Sequence, residues 1–372
     1  MRQYWVPGRP GRPTSQVELR WIYSAWLLAF VGKVLGSSWD VSWHFKWLRD
    51  DLAPPHLMNS LGTGLVLALV VFHSYTGYGV DKIALRFMQW GIGLFLLAVP
   101  LDLLNHAIYG LDITSWSPTH AVLYLGTAVM LVGTIRAWWL YAAPGRLRNG
   151  VLLLALWVLF LENVLFPNQH QEYGVVSLGL FQDGRASAEA ILLDFARDQG
   201  NSPAEFMLPV PSWVHPAWLI CAGLVTLLVA RKVTGLRWTA TIVTAAYLAY
   251  RFFTMGLLWA GDFPTSAVPV MALAGAVLLD LAVTSRVPAL LAGLVVSAGT
   301  YGAAWVLGAF WVIPPWSWWS ALPVSVAFAL MWCGVDRLES SGWLRQWQQP
   351  VDAGDDRVST YPAGAPLPQS MK

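Results

Sequence analysis

The chain has 372 residues, of which 56% are hydrophobic and only 12% charged, and its mean hydropathy is positive. That composition excludes an ordinary soluble domain and describes an all-α, polytopic integral membrane protein. A net charge of +2 gives no reason to expect a nucleic-acid partner. The two cysteines, Cys221 and Cys333, lie far apart in apolar stretches and imply neither a disulfide nor a metal framework.

Residues 1–18 carry Arg2, Arg9 and Arg12 among prolines and glycines, with no apolar core before Trp21. They are expected to form a cytoplasmic tail rather than a cleaved signal peptide. Apolar runs then predict about ten spans, near 19–39, 56–78, 84–108, 118–139, 149–167, 212–231, 238–259, 265–285, 288–312 and 317–337. The bundle is thus expected over 19–337, with 168–210 as an extracytoplasmic loop and 338–372 as a disordered cytoplasmic tail. Lys82, Arg86, Arg136, Arg146, Arg148, Arg231, Lys232, Arg237, Arg286, Arg337 and Arg345 all fall on the side of the Arg-rich tail. The positive-inside rule therefore places both termini in the cytoplasm. Tryptophan is abundant, with 23 copies, many at span ends, as in an interfacial aromatic belt.

The first span ends in Asp40-Val-Ser-Trp43-His44, and the second begins Pro54-Pro55-His56. The third span ends in Asp102-Leu-Leu-Asn-His106, and the fourth begins Pro118-Thr119-His120. Residues i and i+4 share a helix face. A hairpin would fold the following histidine back onto that face. A carboxylate with two imidazoles is a ligand set for copper, iron or zinc, so Asp40, His44, His56, Asp102, His106 and His120 are expected to bind metal. The bland alternative is a polar network capping helix ends. On the predicted topology these residues, with His170 and His215, share the outer half of the bundle, while His73 lies toward the cytoplasm as a packing residue.

Four even-numbered spans open alike: Pro55-His56-Leu-Met-Asn-Ser-Leu-Gly62, Pro118-Thr119-His120-Ala-Val-Leu-Tyr-Leu-Gly126, Trp213-Val214-His215-Pro-Ala-Trp, and Pro264-Thr265-Ser266-Ala-Val-Pro. They suggest a bundle grown from helical hairpins, with ligands kept in the N-terminal copies. Glu162 follows an apolar run and needs a metal, a cation or a proton if buried. Arg251 is its expected intrabundle partner. The two form either a structural ion pair or a catalytic pair. Lys33 snorkels or lines a cavity. Asp50, Asp51 and Asp112 are solvated loop acids or hydrogen-bond partners of a ligating histidine.

At Asp40-Val-Ser-Trp43-His44 and at Leu111-Asp112-Ile-Thr114-Ser-Trp-Ser-Pro118-Thr-His120 the chain resembles the C subunit of the copper membrane monooxygenases, the particulate methane and ammonia monooxygenase family. Glu162-Asn163 through His170 loosely echoes that family's later Asn and His. The resemblance covers residues 36–175. It implies a copper monooxygenase or oxidase, with iron, including a dinuclear iron site, as the alternative. Such an enzyme would act on a small or lipophilic substrate with dioxygen and an external electron donor. The alternative expectation is a membrane transporter or metal-handling protein with interfacial histidines.

Overall fold

The computed structural model describes residues 5–47, 52–109, 115–185, 189–190, 193–194, 210–263 and 266–349. The protein is a bundle of antiparallel helices. Among the described residues there is no β-strand, only an isolated bridge between Arg12 and Tyr78. Helix α1 spans Gln16–His44, α2 Pro54–Thr76, α3 Lys82–Tyr109, α4 Pro118–Tyr141 and α5 Val151–Leu165. A short segment follows: a 3₁₀ turn at Phe166–Asn168, a π-turn at Gln171–Val175, and α6 at Val176–Gln182. Helix α7 (Val214–Trp218) runs through a π-turn (Leu219–Leu224) into α8 (Val225–Thr234). Then come α9 (Thr239–Ala260), α10 (Met271–Thr284), α11 (Ala289–Gly308), α12 (Ala321–Ser340) and the short α13 (Trp343–Trp347).

Helix thus occurs at each of the ten predicted positions. Eight of these segments, by length and composition, can cross a membrane. Helix α1 and the 14-residue α10 fall outside that group. The expected figure of about ten spans is therefore approximate. The caps follow from local chemistry. Ser15 and Glu18 form a reciprocal capping box at the start of α1. Asp81 accepts the Ala84 N–H at the start of α3 (3.0 Å), and α2 stops at Gly77, whose φ of 71° suits glycine.

Lipid supplies no hydrophobic drive for helices to associate, so close approach of small residues must supply packing. A Cβ on Gly62 of α2 would lie 2.6 Å from the Lys33 nitrogen of α1, and one on Gly126 of α4 would lie 2.7 Å from the Gly91 oxygen of α3. Gly62 and Gly126 sit at the same place after His56 and His120, so the two N-terminal hairpins share a packing device as well as a motif.

The hairpins give the bundle two chemically distinct ends. At one end Asp81 and Arg136 pair at 2.8 Å, fully buried, and Arg136 also donates to the backbone oxygens of Trp347 and Gln349. There too Arg231 meets Asp280, and Lys232 meets Asp336. The other end collects the Asp-x-x-x-His motifs, the segment 166–182, and His215. The stretch after 168, expected as a loop, begins as buried helix instead. Asn168, Gln169, His170, Gln171 and Glu172 are all fully buried. The reason is that other helices supply polar partners for this run, as the next section shows. The expected C-terminal tail lies outside the described residues from 350 onward, as do Asp50, Asp51 and Asp112.

Candidate metal site at the histidine-bearing end

Asp40 and His44 occupy successive turns of α1, and His56 opens α2, where Pro54 and Pro55 fill positions that need no N–H partner. One ligand atom from each of the three lies within 4.8 Å of the others. His56 Nε2 is 2.8 Å from Asp40 Oδ1, and His44 Nε2 is 3.5 Å from the same oxygen. That oxygen is buried, and among the described residues it has no hydrogen-bond donor. Two nitrogens and one oxygen form a donor set for zinc, copper or iron. The three side chains are partly exposed, so the site has an entry path.

The end of α1 is held in place by an aromatic stack. Trp39 meets Trp43 edge-on at 5.7 Å, Trp43 meets Trp47 at 4.3 Å, and Trp47 meets Phe263 at 5.4 Å. Lys46 donates to the backbone oxygens of Gly261 (3.0 Å) and Asp262 (2.7 Å), tying α1 to the turn after α9. Asp262 has a φ of 55°, a left-handed conformation that short polar residues tolerate.

The second motif is brought together in part. His120 Nε2 lies 3.6 Å from Asp102 Oδ1. The same oxygen accepts the Thr119 hydroxyl at 2.5 Å. Ser117 caps α4 by accepting the His120 N–H. His106 belongs to α3, but its side chain lies outside the described residues.

Deeper in the same end lies a fully buried ionic network. Arg251 of α9 pairs with Glu172 at 2.8 Å and with Glu162 at 3.4 Å. The expected Glu162–Arg251 contact is therefore present, but Glu172, expected as a loop acid, is the closer partner. Glu172 also meets His215 Nε2 at 3.2 Å. Glu162 Oε1 accepts from Ser38 (2.5 Å) and from Gln169 (2.6 Å). The Arg251 guanidinium sits over the Tyr173 ring, 5.1 Å from its centroid. No sequence pattern marked Ser38, Gln169 or Glu172. The one available signal was an uninterrupted run of five polar residues directly after an apolar helix.

Other expected residues are structural. His73 is fully buried: the Trp26 indole donates to its Nε2 (2.8 Å), and its Nδ1 faces the Tyr78 carbonyl (2.8 Å). Lys33 does not snorkel; it is buried against the Phe95 ring and donates to Asn59 and Thr63. A separate cleft of about 580 Å³ between α6 and the connection Ala309–Pro315 is lined by Leu180, Arg185 and Trp311 but by none of the six candidate ligands.

Comparison with known proteins corrects the expected family. No family model matches the chain. It is similar to the cytochrome c-type biogenesis protein CcmF of Escherichia coli (strain K12), with 24% identity over 199 residues, 47% of this chain and 30% of that protein. The aligned part is thus under a third of that relative's length. No solved structure matches. The likeness found is to a cytochrome c-type biogenesis protein rather than to the monooxygenase C subunit, so the copper monooxygenase or oxidase reading is withdrawn. The motif behind it is short, and Asp-x-x-x-His arises wherever two polar residues share one helical turn.

Proposed function

We propose that this is a membrane metal-handling protein that receives a metal-bearing cargo at its histidine end and passes it on. The cargo favoured by the likeness to a cytochrome c-type biogenesis protein is haem. The observation that carries the reading is the convergence of Asp40, His44 and His56 within 4.8 Å. Histidine is a common axial ligand of haem iron, and c-type cytochromes take haem at Cys-x-x-Cys-His. The chain has only Cys221 and Cys333 and no such sequence, so it fits a donor rather than an acceptor.

In this reading His44 and His56 bind the iron, and the Asp40 carboxylate, 2.8 Å from His56, places a negative charge beside it. Trp39, Trp43, Trp47 and Phe263 offer an aromatic cluster, packed edge-on and tilted, at the same helix end as the ligands. The partners are the lipid bilayer and an acceptor polypeptide. The basic residues gather at the opposite end, which supports an orientation with both termini cytoplasmic and the histidine end outside.

The test is a binding titration on purified protein, with haem and, separately, with Cu(II) and Zn(II). Saturable haem binding with a histidine-ligand absorbance spectrum, lost in His44→Ala and His56→Ala, supports the haem reading. Binding of a bare ion with no haem response supports metal handling with ionic cargo. No response to any of them overturns the proposal.

A further inference from the structure

The network behind the metal site carries a charge imbalance. Glu162 and Glu172 are two buried carboxylates that share the single guanidinium of Arg251, so the carboxylates outnumber it by one. The location of that imbalance is legible from the hydrogen bonds. Glu162 Oε1 receives Ser38, Gln169 and Arg251, whereas Oε2 receives no donor among the described residues.

Two further buried side-chain oxygens, of Gln169 and Asn168, share that condition among the described residues. The Gln169 amide is fixed by two acceptors, since its Nε2 donates to Glu162 Oε1 (2.6 Å) and to Ser38 Oγ (3.1 Å). Flipping the amide would set its oxygen against the Glu162 carboxylate oxygen, which the present orientation avoids. Its Oε1 has no donor among the described residues. Asn168 spends its Nδ2 on the His215 carbonyl (3.2 Å), which leaves Oδ1 without a donor as well. Leaving a buried acceptor unmade costs about 1–3 kcal/mol, more for a charged group. Asn168 and Gln169 are fully buried and the Glu162 side chain is 1% exposed.

We propose that Glu162 Oε2, with the side-chain oxygens of Gln169 and Asn168, binds an alkali-metal cation. Oxygen-only donors suit hard cations, and one residual negative charge suits a monovalent one. Helix α5 supplies Glu162 from its last turn. The chain leaves the α-helical path directly afterwards, through the 3₁₀ turn, and Gln169 beyond it donates back to Glu162 at 2.6 Å. Departures from α-helical winding of this kind recur at functional sites.

The test uses the purified full-length protein, with no metal or haem added, so it is independent of the function proposed above. Thermal unfolding is followed in sodium, potassium and choline chloride at equal ionic strength. A midpoint about 5 °C higher in saturating sodium or potassium than in choline is expected, and Glu162→Gln should abolish the difference. Should that variant fail to fold, Gln169→Leu should weaken the response, and radioactive sodium binding to the wild type gives a direct count. Equal midpoints in all three salts with no bound sodium overturn the proposal. So does a Glu162→Gln protein that keeps the full response. A midpoint that follows pH but not the cation also overturns it, and would place a proton on the network instead.

Discussion

Replacing Arg251 with Met removes the one cation that compensates two buried carboxylates. The guanidinium is 1% exposed and lies 2.8 Å from Glu172 and 3.4 Å from Glu162, which are themselves 0–1% exposed. Breaking a buried pair by deleting one partner costs about 3–5 kcal/mol, because the other charge remains without compensation. The low-dielectric surroundings of a membrane bundle place this site at the upper part of that range. At 1.4 kcal/mol per tenfold, the unfolding equilibrium should shift by at least about a hundredfold. Unfolding of purified protein in mixed detergent and SDS reads this directly. The double variant Arg251→Met, Glu172→Gln should recover part of the loss, since it deletes a charge along with its partner. A loss below about 1 kcal/mol, or a double variant less stable than the single by the full cost of a second site, would refute the network as an electrostatic unit.

Further outcomes are expected elsewhere. His73→Ala should cost about 1–3 kcal/mol, by orphaning the Trp26 indole, without changing metal or haem binding; a changed binding isotherm would contradict its packing role. Gly126→Val should cost about 1–3 kcal/mol by overpacking α4 against Gly91 and Phe95 of α3, with unchanged stability as the refuting result in the same unfolding assay. Reporter fusions after Arg148 and at Gly184 should report opposite compartments, and agreement between them would overturn the proposed orientation.

The helices were legible because apolar runs long enough to span a bilayer are a strong signal, and helix stands at every predicted position. The meeting of Asp40, His44 and His56 followed from helix periodicity plus a short hairpin, both local properties. The burial of Glu162 and its contact with Arg251 also followed, since a carboxylate in an apolar run needs a partner. Residues 168–172 were not legible. A run of Asn, Gln, His, Gln and Glu looks solvated until the surrounding helices are in place, and Arg251 and His215 reach it from far along the chain. The family resemblance failed for a related reason: two short polar motifs fix a local geometry, and that geometry serves many chemistries.

The central claim is that the Asp40, His44 and His56 set holds a metal-bearing cargo. The most direct measurement is the metal and haem content of protein purified from its native membranes, compared with the His44→Ala, His56→Ala double variant at equal folded yield. The account predicts bound haem or metal in the wild type and its loss in the variant. A wild type free of both, or a variant that retains the full complement, would contradict it.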